Sequence, residues 1–170
     1  IYFDIFQAKI MQFRNSKISS SKFLSWLLLP QNILLNKLLP IFYLIFLQLI
    51  TGIPNPEALE QFDAAKFAII FSQKLYDYPF WLQDLSHLPL FFVFTWFSHW
   101  FFSQKDIRKK INTKAITASV FYAIFNEGIQ AFVPERFPSP GDLFMNLSGV
   151  AIATILFVTL QKKLHNQSKN

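Results

Sequence analysis

The sequence predicts an all-α membrane protein, built as a bundle of four transmembrane helices. Of the 170 residues, 52% are hydrophobic and 18% are aromatic, and the 15% that are charged fall into a few blocks. The long stretches between these blocks have no polar face to turn toward water, as a soluble helix would have. The chain contains no cysteine, which excludes disulfides, thiolate nucleophiles and thiolate zinc sites.

Four stretches are apolar enough to be spans, and each is close to the short limit of about 17 residues for a helix that crosses a bilayer. We therefore expect the helices to extend by about a turn beyond these edges. Pro40 and Pro89 are expected in the first turns of the first two spans, where proline costs little. The predicted spans are residues 38–53, 86–102, 115–132 and 143–160.

Two further segments are predicted outside the spans. Residues 23–37 are apolar but are interrupted by a proline and two asparagines, which favours an amphipathic segment in the inner interface over a fifth span. Residues 56–75 have a mostly helical pattern and predict a helical loop on the outer, extracytoplasmic side. No repeat or linker divides the chain. We predict one membrane domain at 1–170, with an N-terminal cytoplasmic or interfacial segment at 1–37, a four-span core at 38–160 and a cytoplasmic tail at 161–170.

The distribution of lysine and arginine predicts the orientation. Thirteen of the sixteen positive charges lie before the first span, between the second and third spans, or after the fourth. The positive-inside rule assigns these segments, and hence both termini, to the cytoplasmic side of a bacterial inner membrane. The same bias accounts for the net charge of +6 without nucleic acid, so we expect no nucleic-acid partner.

The stretch NEGIQAFVPERFPSPGDLFMNLSG, residues 126–149, places polar groups between two apolar spans. Glu127 and Gln130 share one face of the third span. Asp142 and Asn146 share one face of the fourth, which runs back from the same side. With Arg136 in the connecting loop and His87 at the outer start of the second span, six polar groups from three helices are expected at one depth in the outer leaflet.

Glu127 is the most informative of these six residues, because it is the only acid inside a predicted span. Carboxylates at such positions usually face the protein interior and mark a functional path. A structural role remains open: Glu127 forms an ion pair with Arg136, or it hydrogen-bonds to Gln130 or Asn146 and locks the helices. Asp142 is also expected to be the N-cap of the fourth span. The carboxylates and His87 match no metal-ligand spacing, so no metal or cofactor is expected.

The polar run resembles the signature of the VanZ-like family of small bacterial membrane proteins, over roughly residues 38 to 160. An earlier stretch, DLSHLPLFF, is similar to that family's second motif, with His87 as the matching histidine. The chain departs from that motif at Gln83-Asp84, where the family often has Asp-Lys. The resemblance implies four spans and a cell-envelope context, and the family is named for a protein linked to teicoplanin resistance. The matching positions are Glu127, Gln130, Pro134, Arg136, Asp142, Asn146 and Gly149.

Two functions are carried forward from the sequence. In the first, the cluster binds, or acts on, the headgroup of a membrane lipid or a lipid-linked envelope precursor. Arg136 would take phosphate, Glu127 would be the acid or base, and His87 would be a second proton carrier. The substrate-binding residues would be Gln130, Arg136, Asp142 and Asn146. In the second, the chain is a non-catalytic accessory subunit whose partners are other membrane-protein subunits. The sequence leaves open whether any reaction is catalysed.

Overall fold

A computed structural model describes residues 22–28, 32, 34–102, 111–134 and 136–167 of the chain. The elements within these ranges are helices, and no strand occurs among the described residues, which confirms the all-α prediction. Residues 22–28 are helical, and a π-helical turn at Leu34–Leu38 leads directly into the first long helix. The helices are α1 (Leu39–Thr51), α2 (Pro56–Gln61), α3 (Lys66–Tyr76), α4 (Phe80–Phe102), α5 (Thr113–Gln130) and α6 (Pro140–Gln167).

Helix α4 is the centre of the bundle and contacts α1, α5 and α6, with its most extensive contact on α6. A glycine makes that contact close. A Cβ atom on Gly149 would lie 2.4 Å from the carbonyl oxygen of Leu88 and 2.9 Å from the backbone nitrogen of Phe92. Only a residue without a side chain allows the two backbones to approach this closely. The close approach of α4 indicates that Gly149 serves the packing of α4 against α6.

The core has two apolar clusters along α4. One contains Leu47, Phe91, Phe94, Ala123 and Val150, from four different helices. The second lies toward the C-terminal end of α4 and includes two leucines of the helical segment 22–28: its members are Leu24, Leu28, Trp96, Trp100 and Phe157. Residues 22–28 therefore pack onto the bundle. The interfacial placement of residues 23–37 stays a prediction, and 29–31 and 33 lie outside the described residues.

The helical pattern predicted at 56–75 is confirmed, as two helices, and the placement of this segment on the outer side stays a prediction. Asn55 caps α2 by accepting a hydrogen bond from the Glu57 backbone nitrogen at 3.0 Å. The chain then breaks at Asp63, whose φ of 51° lies in the left-handed region. Helix α3 is bound to the segment between α1 and α2 by Ser72, whose hydroxyl donates to the Pro54 carbonyl at 2.8 Å.

Helix α4 begins at Phe80, six residues before the predicted start of the second span. The prediction that Pro89 lies in a first turn is therefore wrong, because Pro89 is inside the helix. Proline has no N–H, so the carbonyl of Leu85 lacks its usual helical donor there. The earlier start also brings residues 80–85 into the helix, and one of these, Asp84, belongs to the polar cluster described below.

Two segments, Leu34–Thr51 and Pro140–Gln167, are long and apolar enough to cross a membrane by length and composition. The other two predicted spans correspond to α4 and α5, which are continuous helices of 23 and 18 residues but do not meet that criterion. These features are consistent with a membrane protein. Much of the charge used to predict orientation, in residues 1–21, 103–110 and 168–170, lies outside the described residues.

Candidate functional site

The predicted polar residues lie around the N-terminus of α6, which is capped by Ser139. The Ser139 hydroxyl accepts hydrogen bonds from the backbone nitrogens of Gly141, at 3.1 Å, and of Asp142, at 3.4 Å. The prediction that Asp142 is the N-cap is wrong, because the helix begins at Pro140 and Asp142 lies within its first turn. Its carboxyl group is consequently available for contacts with another helix.

Glu127 reaches from the last turns of α5 to the same helix end. Its side chain is buried, and Oε1 accepts a hydrogen bond from the backbone nitrogen of Ser139. In a capping box the backbone N–H of the cap residue donates to the side chain three residues later, which here is Asp142. In this protein it donates instead to Glu127, which belongs to the neighbouring helix α5. Its Oε2 is buried with no hydrogen-bond partner among the described residues.

His87 on α4 faces α6 with both of its ring nitrogens. Nδ1 lies 3.0 Å from Oδ1 of Asn146, and because an amide oxygen only accepts, Nδ1 carries the hydrogen in this arrangement. Nε2 lies 3.7 Å from Oδ2 of Asp142. All three side chains are buried, and Asn146 is completely inaccessible. Because Asp142 and Asn146 are one helical turn apart, as predicted, both side chains contact the same imidazole ring, that of His87.

Asp84 lies one turn before His87 on α4, next to the first turn of α6. Its Oδ2 is so close to Gly141 that a Cβ atom there would be 2.6 Å away. The start of α6 is therefore surrounded by three acidic side chains from α4, α5 and α6 itself. The positive end of a helix dipole favours negative groups at this position.

Arg136 and Gln130 form a second group, on the side of the cluster toward α1. The Arg136 Nε donates to Oε1 of Gln130 at 3.3 Å, and its Nη1 donates to the Ile53 carbonyl at 3.1 Å. The guanidinium also lies over the ring of Tyr76, 5.9 Å from its centre. Within the described part of the chain these hydrogen-bonding partners are neutral. The ion pair with Glu127 that the sequence left open is not formed between these residues, nor does Glu127 bond to Gln130 or Asn146.

A pocket of about 460 Å³ opens beside Arg136 and His87, between α1, α3 and the first half of α4. Its walls are mainly apolar, with Leu75, Leu82 and Leu90 among them. No aspartate or glutamate lines it among the described residues. The structure thus brings two of the six predicted residues, Arg136 and His87, to the pocket wall. The other four, Glu127, Gln130, Asp142 and Asn146, lie behind that wall and support it.

The VanZ/LLP1 family model matches residues 38–161, which include every residue of the polar cluster. The chain belongs to the VanZ/LLP1 family. The resemblance found in the sequence is therefore confirmed, and its boundaries agree to within one residue. No curated protein and no solved structure matches the chain.

Two residues near the polar cluster, the half-buried Asp84 and the buried Asn126, were not predicted from the sequence. Asp84 was treated only as a departure from the Asp-Lys motif, although its spacing of three from His87 predicts a shared helical face. Asn126 is buried, and its Oδ1 accepts a hydrogen bond from the Thr51 hydroxyl at 2.7 Å, which joins α5 to α1. Its position one residue before Glu127 was visible, but the partner on α1 was not. Among the described residues, no three histidine or acidic side chains are arranged to hold a metal ion.

Proposed function

We propose that this VanZ/LLP1 protein is a four-span protein of the bacterial inner membrane that binds the anionic headgroup of a lipid or lipid-linked envelope precursor. The site is the pocket beside Arg136, in the outer leaflet, and both termini are cytoplasmic. The charge distribution supports this orientation, since Arg136 is one of only three basic residues assigned to the outer side. A link to teicoplanin is an expectation from the family alone.

The helix dimensions support four spans. At 1.5 Å per residue, the 23 residues of α4 extend about 34 Å and the 18 residues of α5 about 27 Å, against a hydrocarbon core of about 30 Å. The lower hydropathy of these two helices has a physical reason. Their polar side chains, such as Thr95 and His99 on α4 and Ser119 on α5, are buried against other helices. Groups that face the bundle interior need not be apolar.

The outward faces of the bundle support a lipid environment. Large apolar side chains on α1, α5 and α6 are more than half exposed, and no described part of the chain covers them. Monomeric proteins in water rarely expose contiguous apolar surface on this scale. In a bilayer the same surface contacts acyl chains at no cost. The clearest examples are Phe42, Leu49, Phe121 and Ile155.

The headgroup assignment rests on the surroundings of the Arg136 guanidinium. Its guanidinium is at the wall of an apolar pocket, and its described hydrogen bonds go to neutral oxygens. A planar guanidinium in low-dielectric surroundings pairs strongly with phosphate or carboxylate. Among the described residues, the pocket lining holds no acid that would repel such a ligand, and its leucines suit the first part of an attached hydrocarbon chain.

The other predicted residues are given supporting roles in this proposal. Gln130 orients the guanidinium, and Asn146 and Asp142 orient His87. Glu127 fixes the start of α6 through Ser139. If a reaction follows binding, Glu127 and His87 are the groups assigned to carry its protons, with Oε2 of Glu127, which has no hydrogen-bond partner among the described residues, as the acceptor.

The test is mass spectrometry of the protein extracted in native lipid patches. The unaltered chain is compared with Arg136→Gln, with Glu127→Gln, and with Lys74→Gln, an exposed basic residue of α3 that serves as the control. We expect an anionic lipid to remain with the unaltered protein and the control and to be lost from Arg136→Gln. Equal retention by all folded variants would overturn the proposal.

The second function, an accessory subunit of a larger membrane complex, is favoured by one observation. Aromatic side chains on the segments that flank the pocket are strongly exposed, among them Phe80 at 82%, Phe132 at 86% and Phe137 at 81%. Exposed aromatic residues are enriched where proteins contact one another. In the same extraction, one protein partner that stays with all variants, in the absence of a retained anionic lipid, would favour this function.

A further inference from the structure

Helices α1 and α5 both pack against α4, and hydrogen bonds join them to each other toward their C-terminal ends. The Thr51 hydroxyl donates to Oδ1 of Asn126 at 2.7 Å, and the Tyr122 hydroxyl donates to Oε1 of Gln48 at 3.0 Å. Nearer their N-terminal ends, a cavity of about 280 Å³ lies between the two helices and α4. We call it the α1–α5 groove, and its walls include Ile41, Leu44, Phe94, Phe102, Ala118 and Phe121.

The α1–α5 groove is built for a hydrocarbon chain. Two hydroxyl groups belong to its lining, those of Ser98 and Tyr122, and both already have acceptors within the protein. Ser98 donates to the Phe94 carbonyl at 2.9 Å, and Tyr122 donates to Gln48. The groove opens at the surface of the bundle, where Phe121 is exposed. A chain of methylene groups gains dispersion contacts with such walls and leaves no polar group unpaired.

A second pocket, of about 440 Å³, adjoins the groove at the N-terminus of α5. Three residues line both cavities: Phe102, Ala118 and Phe121. The rest of this pocket is formed by Thr113, Lys114 and Thr117, which carry two hydroxyl groups and an ammonium group. Lys114 is exposed, and the first turn of α5 contains no acidic residue. The positive end of the α5 dipole lies at the same place, so an anion is favoured there.

Lys37 supplies a second ammonium group from the α1 side. It lies on the turn that leads into α1, and it donates to the Phe101 carbonyl. Its Nζ is also 4.6 Å from the centre of the Phe101 ring, which belongs to the groove lining. No aspartate or glutamate of the described ranges lines the groove or the adjoining pocket. The apolar groove therefore has a lysine on the α1 side and a lysine on the α5 side.

We propose that the α1–α5 groove binds an acyl chain of an anionic phospholipid, whose phosphate pairs with Lys114 and lies in the positive potential of Lys37. The apolar walls and the adjoining lysines match the two parts of such a lipid. In the orientation proposed above, this end of the bundle faces the cytoplasm, so the lipid comes from the inner leaflet. The inference rests on that membrane placement but not on the Arg136 pocket, which lies at the other end of α4.

The experiment is native mass spectrometry of the full chain in detergent, titrated with phosphatidylglycerol or with phosphatidylcholine that has the same acyl chains. The unaltered protein is compared with Lys114→Gln, Lys37→Gln and Lys163→Gln. Lys163 is the control, since it is exposed near the C-terminal end of α6 and lines neither cavity. Every protein is measured with and without Arg136→Gln, which removes the cation of the other pocket.

We expect the unaltered protein and Lys163→Gln to bind phosphatidylglycerol more tightly than phosphatidylcholine. Lys114→Gln should weaken the binding of phosphatidylglycerol about fivefold, because one positive charge beside the phosphate is lost. Adding Lys37→Gln to Lys114→Gln should weaken it further. Equal affinity of the unaltered protein for the two lipids would overturn the inference, and so would equal effects of Lys114→Gln and Lys163→Gln.

Two further variants test whether the acyl chain lies in the groove. In Ala118→Phe the new ring fills the part of the groove that adjoins the second pocket. Ile124→Phe places an extra ring on an exposed position of the same helix and is the control. We expect Ala118→Phe to lose phosphatidylglycerol and Ile124→Phe to retain it. Retention by both would overturn the inference. If Ala118→Phe does not fold, the exposed Lys114 decides through Lys114→Gln.

The Arg136→Gln series separates this inference from the proposed function. Binding of phosphatidylglycerol that depends on Lys114 and persists in Arg136→Gln supports the α1–α5 groove, whatever happens at the other pocket. Complete loss of phosphatidylglycerol in Arg136→Gln would place the bound lipid at the other pocket and overturn the inference.

Discussion

His87 on α4 and Asn146 on α6 are joined by a hydrogen bond of 3.0 Å between two buried side chains. We predict that Asn146→Leu, which keeps the branched shape but removes the acceptor, costs about 1–3 kcal/mol of stability, because the histidine N–H is left buried without a partner. Thermal unfolding in one defined detergent measures the effect. Ser148→Ala on the same helix is the control, since that hydroxyl donates to the Phe144 carbonyl of its own helix. Equal stability of Asn146→Leu and Ser148→Ala would contradict the prediction.

Replacing Gly149 of α6 or Gly128 of α5 by alanine should change the stability of the protein in opposite directions. Gly149→Ala brings a methyl group against the backbone of α4, where neither helix can move alone, so we expect a loss of about 1–3 kcal/mol. Gly128→Ala meets nothing within 4 Å, and alanine is the better helix former, so stability should be unchanged or rise by up to about 1 kcal/mol. The two variants are compared in the same unfolding experiment. A loss in both would show that glycine flexibility, not close helix packing, is the requirement at Gly149.

The faces of the site helices could be predicted from local spacing. Glu127 and Gln130 are three residues apart, and Asp142 and Asn146 are four apart, so helical geometry alone turns each pair toward one side. Burial of all four agrees with that expectation. What spacing cannot encode is the partner on another helix. The bond from the Ser139 backbone to Glu127 and the close approach of Asp84 to Gly141 both depend on how α4, α5 and α6 are arranged in space.

The start of α4 shows a second limit of sequence reasoning. The predicted span began where the apolar run begins, but the helix begins six residues earlier, in a stretch containing Gln83 and Asp84. Hydropathy reports the environment of a residue, whereas backbone hydrogen bonding decides where a helix starts. Pro89 also resembled a helix-start signal, although its position is interior. For the same reason the N-cap of α6 was assigned to the wrong residue. Ser139 lies between two prolines, and Asp142, which follows them, matches an N-cap pattern equally well.

Ser139, and not Asp142, should therefore stabilise the N-terminus of α6. We predict that Ser139→Ala costs about 1 kcal/mol, because the backbone nitrogens of Gly141 and Asp142 lose their acceptor. Ser139→Thr should retain most of that stability, since threonine provides an equivalent oxygen. Hydrogen exchange of the first turn of α6 measures the effect locally. If Ser139→Ala and Ser139→Thr exchange alike, the hydroxyl is not the cap.

The helical segment 22–28 should be held to the bundle by two interchangeable donors. The indole nitrogens of Trp96 and Trp100 both donate to the Leu27 carbonyl, at 3.2 and 2.9 Å. Either bond alone satisfies that oxygen, so Trp96→Phe and Trp100→Phe should each raise amide exchange in 22–28 only slightly. The double variant leaves the carbonyl with neither donor and should raise exchange by about tenfold or more.

Hydrogen exchange with mass spectrometry, following the peptide that contains 22–28, measures this difference. Trp81→Phe is the control for loss of an indole, because Trp81 is 66% exposed on the first turn of α4. The decisive quantity is the departure from additivity. If the effects of the two single variants simply add up to that of the double variant, lost ring volume is responsible, since each substitution removes part of the packing around Phe157 and Phe97 independently. A double variant far worse than the sum identifies the shared carbonyl as the attachment point.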